Sequence, residues 1–406
     1  MARILSASLV NVLAAASGLT DPQTIKARLP QLCQGVESLS QLFTRDRQDL
    51  RTSYLDQDQL RAAYLAYYLP VNLAKVQALL EEMPQPAAAG QGWGGRFKVL
   101  DLGGGIGTTG LAVLDWLNST EALREVEGEI VTVERSALAL GLYERLWEAY
   151  KAVEPKPGSR LVTVEGDMGK WSAGRFPTSV ANGTYDLIVL GNVVNELFSD
   201  TRDPVARRIQ LLRDLLGLLH PQGTMMIVEP ALRDTSRHLL QLRDQLVGDG
   251  ACNVYSPCLH GRPCPALVKE TDWCHEERPW TPPALVAAID KEVGFIKDAL
   301  KFAYLLLRKD GERLAPDEPN VYRVVSELRV MKGEKRAWLC NQTGRPEVGR
   351  QDRLKSPSNE AFDDWHRGAI VRLDQIVRKE HGGRESNQST LGRIPAEAKV
   401  EIIRSI

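Results

Sequence analysis

The stretch KVLDLGGGIGTTGLAVLDWL, residues 98–117, constrains the fold of this 406-residue chain more than any other segment. It reads as a short apolar strand, a tight glycine turn and an apolar helix, the βα unit of nucleotide-type α/β sheets. Glycines at such a turn let the backbone approach a ligand without a Cβ clash. Two registers fit. Gly105, Gly107 and Gly110 spell G-x-G-x-x-G, weak on its own, while Asp101, Gly103, Gly105 and Gly107 spell D-x-G-x-G-x-G with an acid at the strand end.

Four more strand signals follow in order. GEIVTVERS ends in Glu134, RLVTVEGDM in Asp167 and Met168, and YDLIVLGNVVNEL leads into Asn192, Asn195 and Glu196. After a Leu-rich helix, HPQGTMMIVEP reads as a turn and a fifth strand. Each polar residue has a plain reading, since Asp101 and Glu134 suit helix caps and Asn192 and Glu196 suit helix starts. Capping accounts poorly for polar groups at four successive strand ends, where open α/β sheets bind ligands.

These features in sequence resemble class I S-adenosylmethionine-dependent methyltransferases more than dinucleotide-binding oxidoreductases. The resemblance implies an α/β fold of the class I methyltransferase (Rossmann-like) type with a seven-stranded sheet. It implies that Asp101, Gly103, Gly105 and Gly107 hold the amino acid part of S-adenosylmethionine, Glu134 the ribose hydroxyls, Asp167 and Met168 the adenine, and that Asn192 joins them. Asn192, Asn195 and Glu196 are the catalytic candidates, though no residue stands out as a general base and no N/D-P-P-Y motif is present.

Composition is that of a globular protein, 43% hydrophobic and 25% charged, and the formal net charge of -1 gives no global pull toward nucleic acid or acidic membrane. No stretch reads as a membrane span. MARILSASLVNVLAAASG has a core like a signal peptide's, but the helical pattern continues through QLCQGVESLSQLF and LRAAYLAYYLPVNLAKVQALLEEM. Ile4, Leu5, Val12 and Leu13 fall on one side of the first helix, and Cys33 reads as core. The expected layout is a helical region over 1–92 ending in the linker MPQPAAAGQGWGGRF, a cofactor domain over 93–330 and a β-rich, basic extension over 331–406, its tail from 376 partly disordered.

Cysteines interrupt this plan. Cys258, Cys264 and Cys274 fall in SPCLHGRPCPALVKETDWCHEERPW, a Pro- and Gly-bent insertion at about 250–281 with neither helical nor strand period, and Cys340 returns behind KRAWL. Such a loop buries too little apolar surface to hold itself. Disulfides fit poorly with a nucleotide-type enzyme lacking a convincing export signal. Zinc on the thiols plus His260 or His275 is a real rival, although the close C-x2-4-C pairs of structural zinc are absent. Four widely spaced thiolates suit an iron–sulfur cluster equally. Unliganded buried thiols are the bland reading, and Cys252 is a potential replacement ligand.

PCLHGRPCPAL and DWCHEERPW, with KFAYLLLRK and AWLCNQTGR downstream, resemble the cysteine signature of the ribosomal small-subunit methyltransferase-like family, whose mitochondrial members act in small-subunit maturation. The resemblance spans roughly residues 50 to 355. Where the family reads C-P-H, this chain reads Cys258-Leu259-His260. The resemblance implies a [4Fe-4S] cluster on Cys258, Cys264, Cys274 and Cys340, structural in role since no C-x3-C-x2-C triad of a radical enzyme is present. It further implies a monomer docking on small-subunit rRNA, as a methyltransferase or an assembly factor in ribosome biogenesis and translation. Its place would be the cytoplasm, or the mitochondrial matrix in a eukaryote. Residues 331–406 carry 15 Lys and Arg against 11 Asp and Glu, and LRVMKGEKRAW and GRQDRLKS are the clusters phosphate contact needs. A small-molecule methyltransferase with a structural zinc site, and an NAD-dependent oxidoreductase, are the alternatives.

Overall fold

The computed structural model describes residues 2–45, 54–85, 95–171, 174–295, 298–378 and 391–405. Most of the expected linker, and the middle of the tail expected from 376, lie outside the described residues. By internal contacts the chain forms two compact units, both discontinuous in sequence. One comprises Met1–Leu232 with Pro279–Leu300, the other Arg233–Arg278 with Lys301–Ile406.

Unit one begins with helices α1 (Ala7–Ala16), α2 (Pro22–Thr44), α3 (Asp58–Ala63) and α4 (Leu69–Glu82), the last two joined by a π-helical turn, Tyr64–Tyr68. Capping fixes the starts: the Ser6 side chain accepts from the Leu9 amide at 3.1 Å, and Asp21 from the Thr24 amide at 2.9 Å ahead of Pro22. The expected stripe holds on the first helix at Val12 and Leu13, which are buried; Leu5 and Ile4 both precede the helix, Leu5 buried and Ile4 64% exposed. Cys33, expected in the core, is only half-buried on α2.

Five strands alternate with helices as the βα pattern predicts: β1 (Arg96–Leu102), α5 (Thr108–Ser119), β2 (Glu127–Glu134), α6 (Ala137–Val153), β3 (Arg160–Glu165), α7 (Thr178–Ala181), β4 (Tyr185–Gly191), α8 (Pro204–Leu218) and β5 (Leu219–Glu229). They pair in parallel in the order β3-β2-β1-β4-β5. The strands read as apolar runs because parallel strands are covered on both faces; Leu187, Ile188, Val189 and Leu190 have no exposed surface. HPQG, expected as a turn, is instead the first part of β5, where the register against β4 shifts.

The N-terminal helices are built into this unit through Asp115 of α5, which is buried. Its carboxylate accepts from Gln77 of α4 at 2.6 Å, from the Tyr150 hydroxyl of α6 at 2.8 Å and from Ser6 at the start of α1. Residues 279–281 pair with Arg3, and the later helix of this unit, Ala284–Val293, carries Asp290, which accepts from Tyr67.

Unit two opens with α9 (Arg233–Gly248), then β6 (Asn253–Ser256), β7 (Glu276–Pro279) and, after the unit-one helix α10 (Ala284–Val293), β8 (Ala299–Arg308). β8 pairs with both β6 and β7. The cysteine segment itself ends in a strand, β7. A second sheet follows, of β9 (Val321–Val324), β10 (Arg329–Met331), β11 (Glu334–Cys340), β12 (Glu347–Gln351), β13 (Ile370–Leu373), β14 (Val377–Arg378), β15 (Gly392–Arg393) and β16 (Val400–Arg404). Val324, Ala337, Leu339, Val348, Phe362 and Val371 form its core.

Candidate functional site

At the carboxyl end of β1 the chain turns three times into the left-handed region, at Gly103 (φ 73°), Gly105 (φ 54°) and Gly107 (φ 108°). At Gly107 the requirement is double, since an added Cβ would stand 2.5 Å from the Tyr143 ring as well as on unfavourable backbone. The loop is tied to the neighbouring strand: the Gly103 amide donates to the Val133 carbonyl at 2.8 Å, and the Gly105 amide to the Glu134 carboxylate at 3.1 Å. The other Glu134 oxygen accepts from the Ser136 amide at 3.0 Å, so this half-buried carboxylate is already oriented by two backbone donors.

Asp101 sits differently from the other acids. It is buried behind the loop, accepting from Thr132 at 3.4 Å and Tyr143 at 3.5 Å, and burial pushes its carboxyl up to about 7 although hydrogen bonds, the Thr109 side chain's first, pull the other way. Beyond β3, Asp167 is half-buried and accepts from the Gly169 amide at 2.9 Å, with Met168 buried next to it. Beyond β4, Asn192 takes a left-handed φ of 57°, its amide donating to the Val228 carbonyl at 2.7 Å. A non-glycine residue there is uncommon and marks a constrained loop. The Asn195 amide donates to buried Glu229 at 3.2 Å, Arg208 donates to the carbonyls of Asn195 (2.8 Å) and Leu197 (2.9 Å), and Glu196 is exposed. Arg208, the clamp on the loop after β4, carried no sequence signal beyond its place on a Leu-rich helix.

In unit two, Cys258, Cys264, Cys274 and Cys340 line one cavity of about 40 Å³, together with His260, Glu276, Tyr304, Arg323 and Arg345. The distant thiol does return, because β11 pairs with β9 and places Cys340 opposite Arg323. Burial pushes the Cys264, Cys274 and Cys340 thiols up, and for Cys264 and Cys340 the neighbouring thiols push further. Four thiolates there would repel one another in a poorly solvated space. The thiols share the cavity without closing on a point: among the described residues no group of three or more His, Cys, Asp or Glu stands at metal-holding spacing. Cys252 is buried and does not line the cavity, and its thiol is pushed up to about 11 by burial.

Arginines hold the loop that carries these thiols. Arg237 of α9 donates to the carbonyls of Ala266 (3.1 Å), Lys269 (2.7 Å) and Asp272 (2.6 Å). Fully buried Arg243 donates to the carbonyls of His260 and Arg262, and Asp244 accepts from the Cys264 amide at 2.8 Å. Arg345 reaches Asp272 at 3.2 Å. His260 is 2% exposed, and neither of its ring nitrogens has a hydrogen-bond partner; burial, with Arg243 beside it, pushes it down to about 4, so the ring is neutral. His275, a candidate zinc ligand by sequence, stacks on Trp273 and bonds Glu277 at 3.0 Å. Within that lining, buried Glu276 pairs with Arg323 and also with Arg278 at 3.5 Å, and Tyr304 accepts from both arginines.

The five parallel strands and the helices between them define an α/β protein. A family profile described as mitochondrial small ribosomal subunit Rsm22 matches residues 58–348, most of the chain, and the protein belongs to that family. No curated protein matches it. Among solved structures it is similar to the CcbJ methyltransferase of Streptomyces caelestis at 19% identity (39% of this chain, 48% of that one, TM-score 0.23). It is also similar to a protein of Streptococcus mutans assigned as S-adenosylmethionine-dependent methyltransferase, at 15% identity (58% and 48%, TM-score 0.33). A third, assigned as a class I S-adenosylmethionine-dependent methyltransferase in Listeria monocytogenes, is 12% identical (76% and 89%, TM-score 0.36). The chain spans about half the length of the first two. Among the described residues no helix is long and apolar enough to cross a membrane.

Proposed function

We propose that this chain is an S-adenosylmethionine-binding, methyltransferase-like protein acting on the small ribosomal subunit, by rRNA methylation or as an assembly factor. The observation that carries the cofactor reading is the Glu134 carboxylate, fixed by the Gly105 and Ser136 amides at the end of β2 beside three left-handed glycines. A strand-end carboxylate so held suits the ribose hydroxyls. Gly103, Gly105 and Gly107 would pass the backbone under the amino acid moiety, with buried Asp101 bracing the loop from behind; Asp167 and Met168 would meet the adenine. Asn192, with Asn195 and Glu196, would orient an acceptor at the exit of β4. Family membership supports the ribosomal setting, with a monomer in the cytoplasm or mitochondrial matrix.

Cys258, Cys264, Cys274 and Cys340 fit a metal group by donor chemistry: four sulfurs line one cavity, with Arg243 and Arg345 near. These residues would hold a [4Fe-4S] cluster, which supplies structural cross-linking between the loop and β11. A second reading, zinc, is favoured by one observation, the neutral and unpartnered His260 in the same cavity.

Isothermal titration with S-adenosylmethionine tests the cofactor: binding is expected, with at least a tenfold loss in Glu134→Ala, as for a bidentate hydrogen-bond partner of about 1.4 kcal/mol or more. Absence of binding to the intact protein overturns the reading. Iron, sulfide and zinc per chain after anaerobic purification decide the metal, and zinc without iron removes the cluster. Co-sedimentation with small-subunit precursors, lost in Cys258→Ser, tests the partner.

A further inference from the structure

Four aromatic rings in unit one have no role in the reading above. Phe43 comes from α2, Tyr54 from the short 3-10 turn Tyr54–Asp56, and Tyr64 and Tyr68 from the π-helical turn. They form one cluster: Phe43 stands edge-on to Tyr54 (5.2 Å between centroids) and to Tyr68 (5.1 Å), while Tyr64 is tilted on Tyr54 at 5.7 Å and stacked on Tyr68 at 6.0 Å. All four are half-buried, so the cluster keeps open surface.

The cluster is fastened to the strand-end pocket. Asp56, closing the Tyr54 turn, accepts from the Ser136 hydroxyl at 3.4 Å, and Ser136 is the residue whose amide orients Glu134. The Tyr64 hydroxyl hydrogen-bonds Thr108, the first residue of α5 after the glycine loop, and accepts from Asn72 at 3.4 Å. Glu134 and Glu196 both act electrostatically on Tyr54 and Tyr64, with Arg135 the cation that reaches Tyr54. Burial, ahead of these carboxylates, keeps both phenols neutral.

We propose that Tyr54 and Tyr64, with Glu134 and Glu196 at their flanks, form a cation-selective wall that takes the sulfonium of the cofactor in preference to its neutral thioether product. The inference rests on the cofactor reading above. With ribose at Glu134 and the methyl group at the exit of β4, the sulfonium would lie between Glu134 and Glu196, beside the Tyr54 turn that Asp56 ties to Ser136. A ring face attracts a cation through its quadrupole, and carboxylates on either side add to that field. Loss of the methyl removes the positive charge, so the same wall releases S-adenosylhomocysteine.

Titration of the full chain with S-adenosylmethionine and separately with S-adenosylhomocysteine tests this. The wild type is expected to favour the sulfonium. Tyr64→Leu and Tyr54→Leu are each expected to weaken it about three- to thirtyfold, the range for a cation on one ring, with the thioether changed less than about twofold. Tyr64→Phe, which keeps the ring, should keep the preference, and circular dichroism reports whether each variant is folded. Equal weakening of both ligands, or a wild type that prefers the thioether, overturns the wall while leaving the cofactor reading intact. A wild type that binds neither overturns both. Since wild-type preference is read without any substitution, an unfolded variant does not shield the proposal.

Discussion

At the strand ends of unit one, the oriented polar groups lie next in sequence to a β-strand, and most are held by backbone amides. The cysteine cavity of unit two is assembled the other way, from a loop after β6 and a strand from the second sheet, clasped by side chains of α9 and Arg345. Backbone holds Glu134 and Asp167 in place whatever side chains surround them. The cavity depends on long side chains reaching across, and it keeps buried polar atoms such as His260's without partners. The first arrangement rests largely on backbone donors; the second rests on side chains and calls for something further to complete it.

Substitutions sharpen that contrast. The largest expected effect is at Glu276, where Glu276→Gln leaves Arg323 and Arg278 buried beside a neutral amide and should cost about 3–5 kcal/mol in urea unfolding. A loss below about 1 kcal/mol would mean that unit two does not lean on this network. In unit one the strongest backbone effect is expected at Gly107→Ala, about 2–4 kcal/mol, from left-handed strain together with the Tyr143 contact. Gly105→Ala has the strain and open space for the methyl, so it should cost visibly less.

Asp101 supplies a pH test of unit one. Its folded value, about 7, lies above the 3.8 of an ordinary carboxyl, so its favourable contribution is complete below about pH 4 and is lost as pH rises to about 7. Wild-type stability should therefore fall across that window by about 2–4 kcal/mol relative to Asp101→Asn, measured as urea midpoints at pH 4 to 8. Parallel profiles would mean that Asp101 ionises freely. The smallest effect is local: Arg237→Ala removes donors to four carbonyls and should cost about 1–3 kcal/mol. Its signature is faster amide exchange confined to residues 264–274, and unchanged exchange there would remove the arginine from its role as a clasp.

The legibility of the two regions differs for the same reason. The apolar runs of β1 to β5, the glycine loop and the acids behind each strand follow local rules, and all five strands form where the pattern put them. The position of Asp101 did not follow, since a strand-end acid reads alike whether it faces a ligand or, as here, lies behind Gly104. In the cysteine segment the thiols and bends are legible but the arginines that hold them are not, because Arg237 and Arg243 look like ordinary charges on an amphipathic helix. HPQG reads as a turn on its proline and glycine, and the pairing of β5 with β4 overrides that preference.

Sequence alone determined that the chain carries a parallel α/β sheet with a glycine loop, because hydrophobic period and glycine stereochemistry act over a few residues. It determined too that four thiols needed a common explanation. Only the tertiary structure decided that Cys340 reaches the cavity of Cys258, Cys264 and Cys274, that the N-terminal helices share a unit with the sheet through Asp115, and that the turn carrying Tyr54 is tied to Ser136 beside Glu134. Each of these is a contact between residues far apart in the chain, fixed by strand pairing and by the need of buried polar groups for partners, neither of which leaves a local mark in the sequence.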